Sequence, residues 1–289
     1  MRSSFSTILR RGFLSGAVSV AMIGAVSGTA LAEAKNAEQK NGSWQELREM
    51  MYDTDVDIAD GAEIIALDTP YRAHDAAVVP VEIVITPPEG LEVRDFTILV
   101  EENPAPVAAT FTPGEAMGNV IRLSTRVRVD AYTNLRVIAR LSDDSMWQVA
   151  NYVKASGGCS APSLKDAEAA LANVGKMKVR LFDEIAAQAK QTTLPPGMRE
   201  AQVMVRHPNY SGFQMNQVTR LFIPAFFIDD LEVTQGDQML FRMEGGISIS
   251  EDPAIRFHFT PNGAGPIRVR AHDTDGNEYI REFPVDIES

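Results

Sequence analysis

Two hydrophobic periodicities divide this chain of 289 residues. Trp44, Leu47 and Met51 recur at helical spacing and predict a short amphipathic helix over 43–52. Ser43 is its expected N-cap, with Glu46 three residues on as in a capping box. From Ile64 the period changes to two. Runs over 79–86, 96–100, 107–111, 120–129, 135–141 and 147–153 read as strands, punctuated by Pro87-Pro88-Glu89-Gly90 and Asn103-Pro104-Ala105-Pro106. Within 120–129 the polar positions are Arg122, Ser124, Arg126 and Arg128. Short strands with no helices between them predict an antiparallel sandwich, so 62–152 reads as an immunoglobulin-like module.

A second β series follows over 202–206, 226–233, 238–244, 255–260, 265–272 and 278–285, with Asp275-Gly276 as a hairpin turn. Between the two series lies an alanine-rich helical stretch, 163–173, with Ser163 as cap and Gly175 as stop. Residues 177–182 alternate while 182–190 are helical in composition, which leaves that piece open between strand and helix. The expected fold is all-β, with two immunoglobulin-like β-sandwich modules, a short N-terminal helix and a helical linker. Its parts are a first module with its helix over 43–155, a linker over 156–198 and a second module over 199–289. The modules are expected to pack on one another through Phe222, Phe226 or Phe227.

The chain opens with Arg2, Arg10 and Arg11, then has no charge from Gly12 to Ala32 and ends that stretch in Ala30-Leu31-Ala32. This predicts an export signal over 1–32, with Glu33 as the first mature residue. Its apolar core is broken by glycine and serine and is short for a membrane span. The run Leu9-Arg10-Arg11-Gly12-Phe13-Leu14-Ser15 resembles a twin-arginine signal, although Leu9 stands where Ser or Thr is usual and Ser15 where Lys is common. A twin-arginine signal implies a protein that crosses folded into the periplasm; a general secretory signal with two chance arginines is the competing reading.

Charge then narrows the function. Removing Arg2, Arg10 and Arg11 and no acid leaves 24 basic against 39 acidic residues, a net charge of −15. Such a surface argues against nucleic acid and anionic membranes, which need clustered Lys and Arg. Cys159 is the only cysteine, so no internal disulfide is available and stability must come from core burial. It sits in Ser156-Gly157-Gly158-Cys159-Ser160-Ala161-Pro162, a setting without large apolar neighbours. That setting predicts an exposed, reactive thiol, with Gly157 and Gly158 as a hinge. The bland alternative is an inert core cysteine.

Other candidates are weaker. His207 precedes a proline and reads as a loop or edge residue, with a partner-facing role as its functional reading. His258 alternates within a strand and is expected on its solvated face. The run His272-Asp273-Thr274-Asp275-Gly276 lacks the spaced ligands of a calcium loop and reads as a hairpin. Asp53, Asp55, Asp57 and Asp60 read as a solvated loop. His74-Asp75 has no nucleophile elbow to complete a triad, and no phosphate or dinucleotide fingerprint is present. No metal site and no cofactor are expected.

Two further segments complete the pattern, Arg206-His207-Pro208-Asn209-Tyr210-Ser211-Gly212 and 221–228, which contains Ile223-Pro224-Ala225-Phe226. A leader, a helix, an immunoglobulin-like module and Gly157-Gly158-Cys159 resemble SoxY, the carrier of the periplasmic Sox sulfur-oxidising system. The second module, with its His-Pro run and Ile-Pro strand, resembles SoxZ. The whole is similar to the single-chain SoxYZ-like carriers found beside quinoprotein dehydrogenases. The resemblance implies a carrier and not an enzyme, with Cys159 as the covalent attachment point for a sulfur intermediate. The implied partners are periplasmic Sox-type enzymes or cytochromes and a quinoprotein dehydrogenase. One departure matters. SoxY ends in Gly-Gly-Cys-Gly-Gly, whereas Ser160 and Ala161 replace the second glycine pair here and 130 residues follow Cys159. The arm is therefore a loop held at both ends unless it is cleaved. A non-covalent adaptor that docks the dehydrogenase or its cytochrome is the second reading. A thiol enzyme such as a peroxidase ranks last, for want of a resolving cysteine and of a nearby His or Arg constellation.

Overall fold

The computed structural model describes residues 43–162, 170–182, 197–263 and 265–285. The predicted export signal, most of the 163–173 helix and 183–190 lie outside the described residues. Residues 43–51 form the expected helix, α1. Ser43 lies inside it, and its hydroxyl donates to Glu102 instead of capping the helix. Trp44, Leu47 and Met51 share a face, which packs on Leu99 and Ile138.

The first half of the chain supplies β1 (Ile58–Asp60), β2 (Ile65–Asp68), β3 (Val79–Ile85), β4 (Val93–Val100), β5 (Val107–Pro113), β6 (Ile121–Val127), β7 (Thr133–Leu141) and β8 (Met146–Val153). The second half supplies β9 (Met177–Phe182), β10 (Arg199–Val205), β11 (Ile228–Gln235), β12 (Gln238–Gly245), β13 (Ala254–Phe259), β14 (Ile267–Asp273) and β15 (Glu278–Phe283). Of the ambiguous piece, 177–182 forms the strand β9, paired with β10. The alternation is visible in β3, where Val79, Val81, Ile83 and Ile85 face the core while Pro80 and Glu82 face out.

The strands form two sheets, each running through both halves of the chain. The larger has the order β1-β8-β7-β4-β5-β12-β11-β14-β15, the smaller β2-β3-β6-β13-β10-β9. Every pairing is antiparallel except β1 with β8. The two modules are therefore zipped edge to edge twice, β5 to β12 and β6 to β13.

This corrects the expected contact between modules. Phe222 is exposed, and Phe226 and Phe227 lie only half-buried. The junction is instead a file of rings inside the double sheet: Phe96 on Phe111 at 5.2 Å, Phe111 near Phe241 at 6.2 Å, Phe241 edge-on to Phe257 at 4.9 Å, and Phe257 near Phe259 at 5.7 Å. One hydrophobic cluster contains core residues of both halves. Pairing edges satisfies backbone groups that two separate sandwiches would leave bare.

Candidate functional site

Beyond β8, Lys154 bonds Tyr71 through its backbone N–H (2.8 Å) and the chain turns inward at Ala155. Three successive amides are then captured by the segment after β6: Gly157 N–H by the Asp130 carbonyl (2.8 Å), Gly158 N–H by the Val129 carbonyl (3.0 Å), and Cys159 N–H by Asp130 Oδ1 (3.2 Å). The second half of the chain closes the other side. Ser211 Oγ donates to the Cys159 carbonyl, and Gln214 Nε2 donates to the Ala161 carbonyl (3.0 Å). Cys159 is completely buried.

The expectation of a presented thiol is therefore corrected. Small residues permit motion, but they equally permit close approach. A Cβ at position 158 would lie 2.2 Å from the Ala76 carbonyl oxygen and 2.7 Å from that of Val129. Gly157 has φ +79°, the left-handed region that glycine enters freely. In this closed conformation the two glycines seat the segment against the first half of the chain.

Arg128 sits beside the thiol. It stands at a polar position of the 120–129 alternation, yet it is 1% exposed. Its guanidinium donates to the carbonyls of Ile249 (2.5 Å), Ile247 (3.4 Å) and Pro208 (3.5 Å), and its Nε is buried with no hydrogen-bond partner. Burial lowers its proton affinity, while Cys159 and Glu251 act to raise it. The thiol itself is pushed up from 9.0 to about 11, first by burial and then by Asp130, with Arg128 opposing. It is thus protonated at neutral pH, and the thiolate is the nucleophilic form. Asn103 ties this corner together: its Nδ2 donates to the Arg128 carbonyl and Ser248 Oγ, and its Oδ1 accepts from Asp130 N–H, all at 2.8 Å.

His207 lies in a loop, as expected, but a buried one, with Nδ1 2.8 Å from Asn209 Oδ1, its ring 4.3 Å from that of Phe226, and Nε2 3.6 Å from Asp273 Oδ2. Burial lowers its pKa, against the pull of Asn209 and Asp273. Asn209, at φ +43°, in turn bonds Ser250 and the Ile228 amide. The His-Pro-Asn run is a polar knot that fixes the root from which Ser211 and Gln214 reach the cysteine segment. His258 is likewise buried, 3.6 Å from Glu200 Oε1. Burial raises the Glu200 pKa, but its interactions with His258 and Arg256 outweigh it and hold the carboxyl at about 2.

The hairpin at 273–278 forms as expected. Asp273 accepts from the amides of Asp275 and Asn277 (3.0 Å each) and from the Tyr279 hydroxyl (2.8 Å). No cluster of metal-ligating side chains occurs among the described residues. The sequence reading missed Arg128, Asp130, Ser211 and Gln214. Ser211 lies within the His-Pro run, which was the available signal.

Residues 50–159 match the model of a family described as sulfur oxidation protein SoxY, so that the match ends on Cys159. Residues 187–284 match that of sulphur oxidation protein SoxZ. Among solved structures, the sulfur carrier protein SoxY from Chlorobium limicola f thiosulfatophilum is 20% identical, covers 44% of this chain and 97% of its own, and superposes with a TM-score of 0.28. No curated protein matches the chain.

Proposed function

Since the chain belongs to the SoxY and SoxZ families, one domain of each in a single polypeptide, we propose that it is a periplasmic carrier holding a sulfur intermediate covalently on Cys159. The observation that carries this reading is positional. The only cysteine closes the SoxY match and is seated in a clamp built from both domains. The charged N-terminal leader supports export, and the run around Arg10 and Arg11 supports the twin-arginine route.

A carrier needs two states. Closed, the thiol is protonated and enclosed, which protects it. Open, it meets solvent, its proton affinity falls toward that of an ordinary thiol, and a partner enzyme loads or relieves it. Arg128 supplies positive charge at the seat, the sign that suits an anionic adduct. The chemistry belongs to the partners, which are Sox-type enzymes or cytochromes.

The test is the intact mass of the protein isolated from its native periplasm without reductant. A sulfur-sized or thiosulfate-sized increment that maps to Cys159 and vanishes with reductant is the expected result. A clean thiol under inducing conditions overturns the carrier reading. The complete burial of Cys159 favours, in that event, the adaptor reading, in which the paired domains dock a quinoprotein dehydrogenase or its cytochrome and Cys159→Ser retains full function.

A further inference from the structure

Among the described residues, exposed large apolar side chains are concentrated in one place. Five large side chains lie bare within ten residues: Phe213 (44% exposed), Met215 (42%), Val218 (91%), Leu221 (69%) and Phe222 (66%). Isolated surface hydrophobics are ordinary, but a contiguous set marks an interaction site. The segment is also formed, not frayed. It is a hairpin with antiparallel bridges at Tyr210–Phe226 and Met215–Phe222, the Asn216 amide on the Leu221 carbonyl (2.9 Å), and Ile223 N–H on the Gln214 carbonyl (2.8 Å). Asn216 Oδ1 holds the tip by accepting from Val218 and Thr219.

The root of this hairpin is the clamp. Ser211 and Gln214, which bind the carbonyls of Cys159 and Ala161, lie just before and within it. Any molecule that reaches the thiol from this side must displace those two side chains, so a body seated on the hairpin is already at the cysteine. Tyr132, two residues after Asp130, and Tyr71, whose carbonyl accepts from the Lys154 amide, are also exposed. Charge narrows the occupant. From 212 to 228 there is no acid and one cation, Arg220, in a chain of net charge −12. A second copy would bring its own acidic surface only outside this tract, whereas a partner with an apolar recess and a carboxylate at its rim fits Arg220 directly.

We propose that the hairpin 213–222 is the docking surface for the enzyme that acts on Cys159, and that docking there unlocks the clamp. The inference rests on the carrier reading but is read through thiol access, not sulfur content, so the two fail separately.

The experiment places a photo-crosslinking residue at Val218 in the full chain, in its native host, identifies the captured protein and purifies it. Cys159 alkylation by a maleimide reagent is then timed with and without that protein. The expected result is an acceleration of about tenfold or more, the scale of one or two lost hydrogen bonds, that disappears in a Leu221→Asp/Phe222→Asp variant whose basal rate is unchanged. Ser211→Ala and Gln214→Ala should raise the basal rate without any partner, by about two- to tenfold each. Equal acceleration in the Asp variant overturns the proposal, as does capture of nothing but a second copy. So does co-sedimentation of the wild type, but not the Asp variant, with phosphatidylethanolamine–phosphatidylglycerol vesicles in place of any captured protein.

Discussion

The charge on Arg128 opposes burial and Asp130, the two larger influences on Cys159. A buried guanidinium held by three carbonyls is costly to replace, because an apolar substitute strands those oxygens. Arg128→Met is expected to lower stability by about 2–4 kcal/mol in urea unfolding and to move the thiol still further from ionisation, read as thiolate absorbance against pH. Arg128→Lys should recover part of the titration shift but less of the stability, since a lysine cannot span the same carbonyls. The thiol carries its own pH signature. Its folded pKa, about 11, lies above the ordinary 9.0, so the stability it contributes is complete below about pH 9 and is lost as pH rises through about 11. Urea midpoints of the wild type should fall across that window, and those of Cys159→Ser should fall less. Residue types alone did not disclose this. Glycine, serine and alanine around a cysteine describe an open arm and a tight seat equally well, and only the Ala76 and Val129 carbonyls lying against Gly158 decide between them.

At the level of elements, local pattern was a good guide where one face of a strand is dry. β3, β6 and β10 fell where alternation put them, because each buries every second side chain. The pattern failed for polar side chains that belong to the core through a partner far along the chain. Arg128 follows β6 in the alternating register, yet the carbonyls it needs come from 247–249, and His258 is inside because Glu200 is opposite. The glycine at 158 offers a test of how closely the arm must seat. Gly158→Ala should expel the segment, raising Cys159 alkylation at neutral pH by at least about tenfold while leaving the far-ultraviolet circular dichroism of the sheets intact. If alkylation stays slow, the seat is looser than its contacts imply.

For the molecule as a whole, the shared sheets predict one unfolding event. Both tryptophans, Trp44 and Trp147, lie in the first half, so tryptophan fluorescence reports on that half alone. Phe259→Ala removes a buried ring from the second half and should cost about 3–5 kcal/mol. The tryptophan-detected midpoint should fall with it, together with the circular dichroism midpoint. An unmoved fluorescence transition would mean that the halves fold independently. Two modules could be read from the sequence, each from its own strand series. Their fusion into common sheets could not, since β5 and β12 meet across more than a hundred residues and nothing in local periodicity states a register at that distance.

The clamp also changes the kinetics open to the protein. A lone thiol has no internal partner, so every stray oxidation is a collision with another molecule, and an exposed one would react in proportion to whatever oxidant surrounds it. With Asp130 on one side and Ser211 on the other, the slow step becomes the opening of the seat. The loss of thiol should then level off as reagent concentration rises, at a ceiling that belongs to the protein and not to its surroundings. Both halves of the chain set that ceiling, so the lifetime of the cysteine is a property of the fused polypeptide.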